Sequence, residues 1–319
     1  MGYIGSKLVM ELAKENEVYV VDVGIYGNSL EKNEKIHLYL SDIRIFDWDI
    51  VFSKGIDYVY HLAGISNDPG YGITEKIGTE INYKASIRLI DKCIEYKVKR
   101  FIYPSSCSIY GRQLSSHCIT EDFNPTPITE YAINKVLVET YILACAGQLK
   151  YTIIRPATVY GLSTRQRFDL VINNMVIKIF NNQDVEVSNA NNIRPSIYID
   201  DLVDIYLKVI DNENSINKIY NVANDNISIC DIYNRIQKMI CSRSNLIDNG
   251  AMNSRSYNIS SDKILSDFNN ISFTPLEEGV VSLIEEIKKG RFDDYRNNSN
   301  YYGNLKQPIF FQDEINGNN

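Results

Sequence analysis

The sequence predicts an α/β protein built on a parallel, doubly wound sheet, with a smaller, partly interleaved second lobe. Three observations carry this expectation. Short apolar segments at 17–22, 58–62, 100–103 and 151–156 alternate with stretches of helical period. These segments run into small, polar or proline residues, as buried parallel strands do where they open into a site at their C-terminal edge. With 319 residues, 44% hydrophobic and 23% charged, the chain can bury a substantial core as one large or two closely joined domains.

The first element reads Met1-Gly2-Tyr3-Ile4-Gly5-Ser6-Lys7-Leu8-Val9, the second half of a glycine-rich turn entering a helix, with Leu8, Leu12 and Ala13 on its buried face. Two glycines can equally begin an ordinary helix. The next segment favours the turn, because Glu17-Val18-Tyr19-Val20-Val21-Asp22 is an apolar strand ending in an acid just under ~20 residues on. A carboxylate there accepts hydrogen bonds from an adenosine ribose and repels a 2′-phosphate, so NAD is expected rather than NADP, with Asp22 as discriminator. The strand and first glycine that would precede such a turn are absent. A doubly wound sheet lacking its central strand loses several buried side chains, at roughly 1.5 to 3 kcal/mol each against a total of about 5 to 15. About ten further residues are therefore expected upstream, a strand's length and its turn.

Asp42 follows the next segment, in Leu40-Ser41-Asp42-Ile43-Arg44, where a loop aspartate is as often a turn former. Tyr58-Val59-Tyr60-His61-Leu62-Ala63-Gly64 is a strand with a small-residue exit that permits close backbone approach. Arg100-Phe101-Ile102-Tyr103 ends in Pro104 and the run Ser105-Ser106-Cys107-Ser108-Ile109-Tyr110-Gly111. Tyr131-Ala132-Ile133-Asn134-Lys135 follows, 25 positions after Ser106. A Tyr and a Lys four apart share one helix face, so the ammonium can favour the ionised phenol. Moving a phenol from about 10 to roughly 7 takes about 4 kcal/mol, within reach of one cation and a hydroxyl partner in a dry cleft. Tyr131 is the candidate acid/base and Ser106 the candidate partner.

On these motifs the chain resembles an extended short-chain dehydrogenase/reductase of the NAD-dependent nucleotide-sugar epimerase/dehydratase group, over nearly everything up to Arg291. The resemblance implies a Rossmann-type fold and assigns roles. Tyr131, Lys135 and Ser106 match the catalytic residues, Tyr131 and Lys135 also touching the cofactor. Gly2, Tyr3, Ile4 and Gly5 match the glycine-rich turn, Asp22 the ribose acid, and Asp42 and Ile43 the adenine edge. Leu62, Ala63 and Gly64 match the strand exit lining the pyrophosphate and nicotinamide ribose, and Asn82 a packing residue of the active-site helix. Asn174, Arg194 and Arg255 match contacts to a substrate's phosphates, Ser106 to its sugar. Two departures stand out: Thr158 where the family often has Asn, and Tyr198 for a usual His. Arg165 and Arg243 are read as solvated charges.

The implied opening step is oxidation of a sugar carbon of a nucleotide-diphosphate sugar by NAD. Dehydratases of the group carry an acid and a base just after the active-site Ser or Thr; here those positions are Cys107 and Ser108, so elimination of water is disfavoured. The expected activity is an epimerase of carbohydrate biosynthesis. A 4-keto-sugar reductase or dehydrogenase, a 4,6-dehydratase, and a non-catalytic NAD-binding protein are the alternatives.

The implied organisation is an NAD-binding domain over 1–161, to which 194–222 contribute back, a substrate lobe from 162–193 and 223–290, and a loosely attached tail over 291–319, rich in Asn, Tyr and Asp. A formal net charge of −7 without a long basic stripe excludes a nucleic-acid backbone binder. No apolar run approaches the ~18 residues of a membrane span, and no signal-like start is present, so a cytoplasmic protein without membrane contact, as a homodimer, is expected. Cys93, Cys107, Cys118, Cys145, Cys230 and Cys241 form no Cys-x-x-Cys pair, and His37, His61 and His117 form no cluster, so neither a disulfide framework nor a metal is indicated.

Overall fold

The structure is a computed structural model and describes residues 1–66, 75–112, 118–250 and 256–303. Helix α1 (Tyr3–Leu12) leaves Gly2 in extended backbone and buries Tyr3, Gly5, Ser6 and Leu8. The stripe foreseen at Leu8, Leu12 and Ala13 does face the core, Leu8 and Ala13 buried and Leu12 packed on the same cluster.

Strands β1 (Val18–Asp22) and β2 (Ile36–Leu40) pair in parallel. β3 (Tyr58–Tyr60) pairs in parallel with β4 (Arg100–Pro104), setting Val59 opposite Phe101. Past the two-residue strand β5 (Cys118–Ile119), β6 (Tyr151–Pro156) takes the other side of β4. β7 (Thr158–Tyr160), β8 (Val185–Val187) and β9 (Ile193–Tyr198) follow, and β10 (Lys218–Val222) returns to β6, giving the all-parallel order β10-β6-β4-β3. β11 (Asp225–Ser228) completes a three-stranded sheet, β11-β9-β7.

Period-two alternation in β4 and β6 explains why helices cover both faces. Phe101, Tyr103, Tyr151 and Ile153 point into a core with α2 (Ala85–Glu95) and α3 (Glu130–Ala144), which supply Leu89, Ile90, Val138 and Ile142. Ile102 and Ile154 point the other way. They meet Leu8 of α1 and Leu202, Ile205 and Val209 of a helix that follows the lobe's α4 (Val171–Phe180), namely α5 (Ile199–Asp211). In this way α5 and β10, from the 194–222 stretch, lie with the main sheet.

The sheet is broken in one place. Among the described residues β1 pairs only with β2 and β3 only with β4. Between their two edges lies a cleft of about 740 Å³, walled by β1, β3 and α1.

A third core belongs to the lobe and includes α4 and the helix Ile229–Ile240. It also corrects the expected tail. Phe292 and Tyr295 are buried, their rings meeting Phe168 edge-on at 5.2 and 5.9 Å, and the Phe168 amide donates to the Tyr301 carbonyl at 2.8 Å. Residues 291–303 are thus docked, because aromatic area buried against Phe168 outweighs the polar composition around it. Residues 304–319 lie outside the described residues.

Candidate active site

β4 is buried along its whole length and delivers its end, Pro104, to the edge of the sheet. Ser106, in extended backbone, then caps the short turn Cys107–Tyr110, its Oγ accepting from the Ser108 amide at 3.1 Å. Helix α3 starts at Thr129, whose hydroxyl accepts from the Ala132 amide, and packs against that turn. One face of α3 carries half-buried Tyr131 and Lys135. The Lys135 Nζ donates to the Pro104 carbonyl at 2.6 Å, lies 4.7 Å from the Tyr103 ring centre and 5.9 Å from that of Tyr131. Burial pulls the Lys135 amine down from 10.5 to about 8, with Glu139 opposing. A cation held at such cost gains from any anion formed beside it, and the nearest group able to become one on its own helix face is the Tyr131 phenol. The arrangement can therefore move a proton at a hydroxyl presented beside Ser106.

The two positions after Ser106 hold no acid. Cys107 is 1% exposed, its thiol donating to the Arg155 carbonyl at 3.1 Å, and burial pushes its pKa up. The Ser105 and Ser108 hydroxyls are buried with no partner among the described residues.

All ten residues matched to the cofactor away from α3 line the cleft between β1 and β3: Gly2, Tyr3, Ile4, Gly5, Asp22, Asp42, Ile43, Leu62, Ala63 and Gly64. Gly2 caps α1 with φ −77° and no side-chain bond, and a Cβ built on Gly2 or Gly5 meets nothing within 4 Å. These glycines leave open space; they do not rescue a forbidden backbone. Gly64 differs, because at φ +157° a Cβ would come 2.8 Å from the Asn82 Oδ1. That Asn82 amide clamps both the N–H and the carbonyl of Ile65, at 2.8 and 2.7 Å, which is a structural task. Asp22 accepts from the Gly24 amide at 2.8 Å and from the Met1 ammonium at 2.6 Å. Asp42 is gripped by Arg44 through Nε and Nη2, at 2.9 and 2.6 Å. Uncapped amides at a helix start, open glycines and an acid ending the next strand fit a dinucleotide, its diphosphate at α1 and its ribose at Asp22.

Ser106, Tyr131, Lys135, Asn174 and Arg194 are not part of that lining. Asn174, on α4, donates to the Phe168 carbonyl at 2.9 Å, and half-buried Arg194 lies on β9 opposite Ile227. Arg255 falls outside the described residues. Tyr198, at the family's usual His, donates to the Asp200 carboxylate at 2.7 Å. Arg165 corrects an expectation: it is no solvated charge but 6% exposed, with its guanidinium 3.5 Å over the Tyr26 ring. Arg167 beside it is paired with Asp169. The available signal was an acid two positions beyond an Arg-x-Arg, which marks one arginine as neutralised and leaves the other without a nearby partner.

The chain matches the model of the NAD dependent epimerase/dehydratase family over residues 1–223. It is 28% identical over 240 residues to a UDP-glucose 4-epimerase of Lactobacillus helveticus, covering 68% of this chain and 72% of that one. To a dTDP-D-glucose 4,6-dehydratase of Dictyostelium discoideum it is 26% identical over 261 residues, 74% of this chain but only 59% of the dehydratase's length. Among solved structures, a UDP-glucose 4-epimerase of Thermotoga maritima with UDP-glucose superposes at a TM-score of 0.81, with 24% identity and 91% and 97% of the two chains covered. A UDP-glucuronic acid 4-epimerase of Bacillus cereus, with UDP-glucuronic acid and NAD, gives 0.80 at 24% identity, covering 90% and 96%. At such identities these two structures establish the fold.

Proposed function

Because the chain belongs to the NAD dependent epimerase/dehydratase family, we propose that it is an NAD-dependent epimerase of a nucleotide-diphosphate sugar, working through a transient keto sugar. The observation that carries this reading is the seat of Lys135, its Nζ 2.6 Å from the carbonyl that ends β4, on the helix face of Tyr131 and two residues before Ser106. Tyr131 takes the proton from a sugar hydroxyl, Lys135 stabilises the phenolate, and Ser106 orients the sugar oxygen. Bound NAD supplies the hydride acceptor and returns the hydride. Gly2, Gly5 and Asp22 hold the dinucleotide, and Asn174, Arg194 and Arg255 the sugar's diphosphate.

The thiol of Cys107, turned into the core, and the hydroxyl of Ser108 favour epimerisation over dehydration, since neither is a carboxylic acid able to expel water. With no elimination, the hydride goes back to the carbon it left. Incubated with a panel of nucleotide sugars in heavy water, the protein is expected to give an epimer, separable from its substrate by chromatography, with no carbon-bound deuterium and without consuming added cofactor. A product lighter by one water and carrying deuterium establishes a dehydratase instead; stoichiometric loss of reduced cofactor establishes a reductase.

Among the described residues no helix is long and apolar enough to cross a membrane. The proposal extends to a cytoplasmic homodimer. The free thiols of Cys118 and Cys241, both exposed, suit a reducing compartment, and exposed Leu137 and Leu143 on α3 offer apolar area to a second copy. Light scattering on the purified protein checks the dimer.

A further inference from the structure

Arg165 sits on a loop fastened to the first turn of α1. The Tyr3 hydroxyl donates to the Gly161 carbonyl at 2.7 Å, the Ser163 hydroxyl to the Tyr3 carbonyl at 2.6 Å, and the Lys7 ammonium to the Leu162 carbonyl at 3.2 Å. At 6% exposure, Arg165 nevertheless leaves Nε and Nη2 without a hydrogen-bond partner among the described residues. A buried guanidinium with free donors is among the costliest arrangements a protein keeps, and the cost shows in a pKa pulled down to about 10. Arg167 is the contrast: its Nε and Nη2 reach the two oxygens of Asp169 at 2.9 and 2.7 Å, so that carboxylate is already engaged.

Both Arg165 and the Tyr26 ring beneath it line the cleft that opens at Gly2 and Gly5. There α1 presents first-turn amides with no side-chain cap, the positive end of its dipole. Two positive features thus line one space. A guanidinium fork makes two parallel bonds to phosphate oxygens, and stacking on Tyr26 fixes its plane.

We propose that Arg165 is a latch on the dinucleotide's diphosphate, closing from the lobe side on a group that the α1 amides hold from the sheet side. This rests on the NAD-binding reading above. It gives the lobe a direct hold on the cofactor, which an enzyme that takes and returns hydride must keep between the two halves of its reaction.

Calorimetric titration of the full chain with NAD, ADP and adenosine tests it, with thermal unfolding confirming that each variant folds. Arg165→Gln is expected to weaken NAD and ADP by roughly 10- to 100-fold and to leave adenosine unchanged, with Arg165→Lys recovering part. An equal loss for adenosine makes Arg165 a structural residue and overturns the latch. So does unchanged NAD affinity with weakened UDP-sugar binding, which would assign the arginine to the substrate. If Arg165→Gln does not fold, Tyr26→Leu decides: weaker ADP with unchanged adenosine supports the latch, and no change in either ends it. Should the wild-type chain take no NAD, the proposed function fails while the latch is still judged on ADP. Binding lost in Arg165→Gln sustains it; equal binding, or none by the wild type, removes it.

Discussion

Every residue of β4 and β6 is buried, whereas β1 and β2 together bury only Val20. The same architecture therefore has one half wedged between two cores and another half that is only partly covered, Tyr19, Val21 and Tyr39 packing against one of those cores. The residues proposed for proton transfer stand at the end of the wedged half, where backbone movement is most restricted. Those proposed to receive the dinucleotide stand on the looser half, where a large ligand can supply order as it binds. The contrast teaches that chemistry needing precise placement is built on strands covered on both faces, while recognition of an extended ligand tolerates a thinner support.

The sharpest separation of the halves is Tyr131→Phe. The ring still packs, but the acid/base is gone, so turnover should fall by a factor of order 10² to 10⁴ while NAD affinity stays within about twofold. Steady-state kinetics beside a binding titration reads both, and full activity would remove the chemistry from the end of β4. Next in size are core truncations. Ile153→Ala, in fully buried β6, should cost about 2 to 5 kcal/mol, against less than about 1 for Val21→Ala in half-buried β1. Urea unfolding measures both, and equal costs would break the comparison.

Amide hydrogen exchange asks the same question without substitution. The amides of β1 and β2 should exchange faster than those of β4 and β6. At NAD near 100 times its Kd they should slow by up to roughly 100-fold, since opening that half forfeits the ligand. Unchanged exchange in β1 with NAD bound would leave the cofactor elsewhere. The smallest effect is a pH slope. Lys135 titrates at about 8 when folded and near 10.5 otherwise, so between those values the unfolded chain binds the extra proton and stability rises with pH. Below pH 8 both forms are charged and the cost of burial is constant. Lys135→Met should abolish this contribution, seen as a flatter plot of melting temperature from pH 8 to 10; an unchanged slope would mean the ammonium is well solvated.

The buried half was legible because strands covered on both faces must be continuous apolar runs, and Tyr131 and Lys135 are four apart on one helix. The placement of Asp22 at the end of β1 and of Gly2 and Gly5 at the start of α1 was legible because one acid ends an apolar run a fixed distance after a turn. Arg165 was not. Nothing local distinguishes a solvated arginine from one sealed in a cleft, and what seals it is a bond such as Tyr3 to Gly161, spanning 158 positions. Residues 291–303 escaped for a related reason: Phe292 and Tyr295 sit among asparagines and aspartates, and their partner, Phe168, lies far upstream.

Those long spans also set a timetable for the chain as it is made. The Ser6 and Ser163 hydroxyls, 3.1 Å apart, are separated by 157 positions. At synthesis rates of about 5 to 20 residues per second, the first turn of α1 waits roughly 8 to 30 s for the loop that completes it. That loop leads into Phe168, whose covering residues, Phe292, Tyr295 and Tyr301, emerge more than 120 positions later. A ribosome that stalls near Gly290 releases a chain whose β4 and β6 are already paired and whose α1 has met its loop, but which bares Phe168. Such a product is a natural client for a chaperone, and a protease should cut it first in the segment between Gly161 and Phe168.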